Sequence, residues 1–180
     1  MKVSVYCSSA PDLDPALIDF AYELGKGIAR AGHDLVWGGA KVSMMGAVAR
    51  GARDHGAQTI GVIPRNLVDR EIQDPDATVL HLVDTMRERK AMIEELSDSF
   101  IALPGGIGTL EEFFEIWVGR YLSFHNKPIA ILDPIGAYGP LKSALEHLAS
   151  HNLMKSGQNE LISWTTRVDE ALDALAAHSR

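Results

Sequence analysis

Three glycines in four residues stand at Pro104-Gly105-Gly106-Ile107-Gly108-Thr109. Residues without a Cβ let backbone N–H groups converge on an anion. A helix opening at such a loop adds unpaired donors and a favourable dipole. That geometry suits a phosphate, and a tight turn with nothing bound needs fewer glycines. A second cluster, Gly38-Gly39-Ala40 with Gly46, lacks the GxGxxG spacing and is no dinucleotide fingerprint. Alone it fits close helix–sheet packing as well as it fits a ligand. Beside the first loop it predicts the other wall of one nucleotide pocket.

Two sets of charges bear on the same pocket. On a helical wheel at about 100° per residue, Met86, Met92, Ile93 and Leu96 share an apolar face. Arg87, Glu88, Glu94 and Glu95 lie away from it. Arg89 falls inside the apolar arc, with Lys90 at its edge. A guanidinium there needs a partner, since burying an unpaired charge is costly. An ion pair, a stem that snorkels to water and an arginine aimed into a ligand crevice all satisfy the pattern. Glu111, Glu112 and Glu115 begin the helix after the glycine loop, where carboxylates complement the helix dipole. Thr109-Leu110-Glu111-Glu112 spells a capping box, the simpler reading of Glu112. The sharper reading makes one of these carboxylates a catalytic group beside a bound sugar phosphate.

The elements that position these residues alternate along the chain. Strands are expected at Val3–Cys7, Leu35–Trp37, Thr59–Ile63, Val79–Val83, Phe100–Leu103, Ile129–Leu132 and Leu161–Trp164. Helices are expected at Pro15–Arg30, Met44–Asp54, Met86–Leu96, Leu110–Phe124, Tyr138–Ser150 and Val168–Ala177. Strands that are apolar throughout are buried on both faces, and strand–helix repetition means a parallel sheet covered on both sides. The prediction is an α/β fold, a doubly wound, Rossmann-like, mostly parallel sheet with helices on both faces. Residues 1–180 form a single nucleotide-binding domain. Ligands in such sheets bind beyond the strands' carboxyl ends, where strand order reverses. The loops to inspect are Ser8–Asp14, Gly38–Gly46 and Pro104–Thr109.

Composition narrows the partners. The formal net charge of −7 argues against wrapping nucleic acid, which needs Lys and Arg on the phosphates. Cys7 is the only cysteine, so no intramolecular disulfide forms and a reducing, cytoplasmic setting is expected. No apolar stretch is long enough for a membrane span. No HExxH, cysteine cluster or histidine spacing calls for a metal, and no cofactor is expected. The missing fingerprint and the short chain weaken an NAD-dependent oxidoreductase.

Met86-Arg87-Glu88-Arg89-Lys90, followed by Leu103-Pro104-Gly105-Gly106-Ile107-Gly108-Thr109-Leu110-Glu111-Glu112, resembles the LONELY GUY family. Its paired signature is an Arg-Lys step and then PGGxGTxxE. The likeness spans nearly the whole chain, from Val5-Tyr6-Cys7-Ser8-Ser9 through Gly38–Gly46 and Ile63-Pro64 to Asn126-Lys127-Pro128. The resemblance implies a cytokinin riboside 5′-monophosphate phosphoribohydrolase, which cleaves the N-glycosidic bond between a purine base and ribose 5-phosphate. Bacterial relatives often act on AMP as well. Many relatives carry the label of possible lysine decarboxylase, but nothing in this sequence marks a pyridoxal phosphate site. The family's catalytic arginine and glutamate fall on Arg89 and Glu112. Its substrate contacts fall on Glu71, Lys90 and the Gly106–Glu112 loop, that is Gly106, Ile107, Gly108, Thr109, Leu110 and Glu111 besides Glu112. The glycine-loop reading adds Gly105 on the same loop and Gly38 and Gly39 on the facing wall. Ala40 stands where many relatives have a third glycine, and Val118 replaces a threonine that contacts ligand in many of them.

The expected substrate is a nucleoside 5′-monophosphate, AMP or an N6-substituted AMP. A rival reading is a nucleotide-binding or carrier protein that uses the loop without hydrolysis. Such a protein has little use for Arg89 and Glu112. A homo-oligomer, at least a dimer, is expected as well. Leu110, Phe113, Phe114, Ile116, Trp117, Val118, Tyr121, Leu122 and Phe124 cover more of one helix than a sheet-facing stripe requires.

Overall fold

Seven short, β-branched runs pair as one parallel sheet in a computed structural model that describes residues 1–68, 72–155 and 157–177. The strands are β1 (Lys2–Tyr6), β2 (Asp34–Trp37), β3 (Thr59–Pro64), β4 (Val79–Val83), β5 (Ser99–Ala102), β6 (Ile129–Leu132) and β7 (Ile162–Thr165). Six α-helices lie among the described residues: α1 (Pro15–Arg30), α2 (Ser43–Arg53), α3 (Met86–Leu96), α4 (Ile107–Tyr121), α5 (Gly139–Ser150) and α6 (Val168–Ala177).

The strand order is β4-β3-β2-β1-β5-β6-β7. From β1 the chain steps outward to β4, then crosses back to β5 on the other side of β1. Val3 pairs with Leu35 of β2 on one side and Ser99 of β5 on the other. Strand order therefore reverses between β1 and β5, and a crevice opens beyond their carboxyl ends. Alternation along β1 divides the core. Val3 and Val5 pack with α1, α2 and α6, whereas Tyr6 packs with the layer that includes α3, α4 and α5. Buried apolar strands thus carry helices on both faces, as the sequence predicts. β4 departs from that rule. It is an edge strand, and Val79 and Leu82 are 41% and 42% exposed.

One boundary shifts with consequences for the site. The glycine run suggests a loop up to Thr109, but α4 begins at Ile107 with Gly106 as its N-cap. Thr109 therefore lies inside the first turn and cannot cap the helix. The expected box between Thr109 and Glu112 does not form. A helix stabilised by the tertiary packing of Phe113, Ile116 and Trp117 tolerates a glycine in its first turn. The helix also ends three residues early, because Ser123 adopts a left-handed φ of +63° and Phe124 N–H bonds to the Gly119 carbonyl.

Candidate active site

A cavity of about 350 Å³ lies at the strand-order reversal, within the range of small-molecule pockets. The end of β1 and its loop, Val5 to Ala10, form one wall. Gly38 and Met45 form a second, and Met86 and Arg89 a third. Gly106, Gly108, Thr109, Glu111 and Glu112 complete it. All three loops singled out in the sequence contribute.

Arg89 reaches this cavity because α3 is held firmly at its start. The Thr85 hydroxyl accepts from the Glu88 N–H at 3.1 Å, and the Glu88 carboxylate accepts from the Thr85 N–H at 3.1 Å and the Asp84 N–H at 2.8 Å. This capping box uses the pattern the sequence also shows at Thr109. The next residue, Arg89, is 4% exposed, so its stem does not snorkel to bulk water. Its Nη2 donates to the Gly38 carbonyl at 3.0 Å, and Nη1 lies 3.8 Å from the Met86 Sδ. A Cβ on Gly38 would stand 1.8 Å from Nη2. Gly38 thus makes room for the guanidinium, and its carbonyl orients it. Gly39 answers a backbone demand, a φ of +77°.

The glycines of the other loop have no such internal reason at two positions. A Cβ at Gly106 or Gly108 would meet nothing within 4 Å, and neither has a positive φ. Glycine in a helix costs about 1 kcal/mol relative to alanine, so Gly108 weakens α4 without serving its packing. Both border the cavity. No side chain caps α4, whereas Asp14 caps α1 and Thr85 caps α3. An uncapped helix start with bare glycines facing a cavity is an anion-binding geometry.

Glu112 follows one turn later, half-buried at the cavity wall. The Cys7 thiol, another wall residue, feels both charges. Burial chiefly pushes its pKa far up, the Glu112 carboxylate adds to that and Arg89 opposes it. Cys7 is therefore a protonated wall residue rather than a nucleophile.

Other expected site residues sit elsewhere. Lys90 is paired across α3 and α4 with Glu111 and, at 2.7 Å, with Glu115. Burial lowers its pKa, but these bonds outweigh it and hold the ammonium above the ordinary lysine range. It does not border the cavity, although Glu111 does. Gly39, Gly105, Ile107 and Leu110 are also absent from its walls. Ile107 is 89% exposed, and Leu110 packs against the core. Glu71 lies outside the described residues. Val118 is exposed and away from the cavity, and Ala40 is fully buried in a bridge to Gln73. Tyr6, Met45 and Met86 also form walls, and they carry neither a charge nor a glycine signature that would mark them in the sequence. Their position at strand ends and helix starts was the available signal.

Known proteins resemble this chain along nearly its full length. Residues 45–175 match the family model described as possible lysine decarboxylase. The cytokinin riboside 5′-monophosphate phosphoribohydrolase of Mycobacterium tuberculosis is 45% identical over 174 residues, 97% of this chain and 92% of that protein. The enzyme of the same name from Mycobacterium marinum is 44% identical with the same coverage. The Oryza sativa enzyme is 38% identical over 89% of this chain and 66% of its own length. Among solved structures, the molybdenum cofactor carrier protein of Chlamydomonas reinhardtii superposes with a TM-score of 0.74 over 98% of this chain and 96% of that one. At 21% identity, that likeness shows a shared fold alone. With these identities, the family match, and Arg89 of the Arg-Lys step bordering one cavity with Gly106, Gly108, Thr109 and Glu112 of PGGxGTxxE, the chain belongs to the LONELY GUY family.

Proposed function

We propose that the protein hydrolyses the N-glycosidic bond of a purine nucleoside 5′-monophosphate, AMP or an N6-substituted AMP, to free base and ribose 5-phosphate. The observation that carries this reading is that Arg89 and Glu112 border the same cavity as the bare glycines 106 and 108. The names of the mycobacterial and rice relatives support it. The uncapped start of α4 holds the 5′-phosphate. As the bond from C1′ to the base nitrogen breaks, positive charge builds at C1′, as in glycoside hydrolysis. Glu112 stabilises that charge and orients the water whose oxygen bonds to C1′. The proton that water gives up on bonding to C1′ balances the one the departing base nitrogen takes up. Arg89, fixed by the Gly38 carbonyl, positions the nucleotide and assists departure of the base. Lys90 acts at one remove, by holding Glu111 and Glu115 beside the site. Glu71 is proposed as a substrate contact on resemblance alone.

A carrier that binds without hydrolysis has no use for a carboxylate and a buried guanidinium facing one ligand. We further propose a homodimer built on α4 and the turn that follows it, where Val118, Leu122 and Phe124 are 50%, 51% and 78% exposed. A cytoplasmic setting suits the free Cys7 thiol. No helix among the described residues is long and apolar enough to cross a membrane. Incubation with AMP and with N6-prenylated AMP, followed by chromatography for free base and ribose 5-phosphate, tests the activity. Release of both products supports hydrolysis. Tight binding without release supports the carrier.

A further inference from the structure

Tyr138 lies under the glycine loop, at the start of α5, yet takes no part in the mechanism above. It is buried, and its hydroxyl shares its one proton between the Leu103 carbonyl at 3.0 Å and the Gly105 carbonyl at 3.2 Å. Its own backbone is anchored. The Asp133 carboxylate accepts from the Tyr138 N–H at 2.7 Å and the Ala137 N–H at 3.0 Å, and the Asp133 N–H donates to the Thr165 carbonyl of β7. The strut therefore runs from the sheet through Asp133 and Tyr138 to the loop.

Peptide geometry gives this contact a consequence. In a trans peptide the C=O and the following N–H point in opposite directions, and no described peptide is cis. Fixing the Gly105 carbonyl toward Tyr138 turns the Gly106 N–H the other way, and Gly106 borders the cavity. The Thr109 side chain also abuts Gly105, occupying the place of a Cβ there, which would lie 2.2 Å from the Thr109 Oγ1.

We infer that Tyr138 is a positioning residue for phosphate recognition, its hydroxyl fixing the peptide plane that aims the Gly106 N–H at the 5′-phosphate. This rests on the phosphoribohydrolase reading. Burial pushes the phenol to about 12, so the hydroxyl remains a donor throughout the neutral range.

Tyr138→Phe removes the donor and keeps the ring. Calorimetry with AMP, ribose 5-phosphate and adenosine should show phosphate-bearing ligands about fivefold weaker, the size of one buried hydrogen bond, with adenosine unchanged. In steady state KM for AMP should rise by the same factor while kcat moves less than twofold. Tyr22→Phe removes a tyrosine hydrogen bond to Asp54 outside the site and should leave the ratio of AMP to adenosine affinity unchanged. If the Tyr138 variant does not fold, Asp133→Asn, which loosens the strut but keeps the hydroxyl, should shift the same ratio. An unchanged ratio in the folded variant, with only a lower Tm, overturns the inference. Wild-type protein that binds AMP and adenosine equally overturns the phosphate reading itself, an outcome visible before any variant is made.

Discussion

Replacing Gly38 by alanine puts a methyl where the Arg89 guanidinium lies. The new Cβ would stand 1.8 Å from Nη2 and 2.5 Å from the Met45 Cε. Ordinary contact begins at 3.4 Å, so Nη2 must retreat by 3.4 − 1.8 = 1.6 Å. Gly38 has no positive φ, so the backbone itself accepts alanine. Both obstructing atoms end flexible side chains, and the overpacking should cost about 1 kcal/mol, or a Tm drop of about 2–4 °C for a chain of this size. The larger effect falls on the site. A retreat of that size disrupts the 3.0 Å bond to the Gly38 carbonyl. Hydrogen bonds to charged groups contribute about 1.5–3 kcal/mol. At about 1.4 kcal/mol per tenfold, kcat/KM for base release from AMP should fall roughly 10- to 150-fold. Gly27→Ala is the control. Its Cβ would meet Val168 Cγ1 at 2.7 Å, between α1 and α6 and away from the cavity. It should lower Tm and leave kcat/KM alone. Near-wild-type kcat/KM for Gly38→Ala would refute the claim that Arg89 must be held in place for the reaction.

Gly108→Ala should raise Tm, since glycine costs about 1 kcal/mol in a helix and a Cβ there meets nothing. The same change should weaken AMP binding at least tenfold by calorimetry, and a stabilised variant with full affinity would remove Gly108 from the phosphate site. Light scattering at micromolar concentration should show at least a dimer, and Val118→Glu combined with Phe124→Ser should give monomers. Monomeric wild-type protein would refute the proposed α4 interface. Burial lowers the His125 pKa, against the opposing effects of its Ile116 carbonyl bond and Glu94. The unfolded chain therefore takes up this proton near the ordinary pKa of about 6.5 and the folded protein only at lower pH. The contribution to stability is complete above about 6.5 and declines as pH falls through the folded value. Melts from pH 8 to 5 should show a decline that His125→Gln flattens.

Local patterns were legible and long-range ones were not. The helical wheel placed Arg89 on a buried face because side-chain period is a local property. Its partner, the Gly38 carbonyl, is 51 positions away, and the packing of α3 across β1, β2 and β3 brings the two together. The threonine-to-glutamate capping string occurs twice, and it forms at Thr85–Glu88 but not at Thr109–Glu112. The difference is where each helix begins, and the glycines at 105–108 allow α4 to begin one turn earlier than the string suggests. That shift removes capping as the account of Glu112 and leaves it at the cavity wall. Lys90 illustrates the converse. The family resemblance implies a ligand contact for it, yet Glu111 and Glu115 are one helical turn apart and bracket it across α3 and α4. Tyr138 carried no signal, since its work depends on the crossing of β6 beside β5.

Glu112→Gln tests the central claim most directly. The exchange keeps side-chain size and removes the charge proposed to stabilise C1′. Thr109–Glu112 forms no capping box, so the change removes no helix cap, and melting curves verify that the variant is folded. Single-turnover release of free base from AMP, with AMP bound to saturation, should fall by at least ~100-fold, the scale of a lost catalytic acid–base or charge-stabilising group. Binding of AMP should change by only a few-fold. Base release near the wild-type rate by the folded variant would contradict the account, leaving Glu112 as a wall of a nucleotide site and the chemistry to another group.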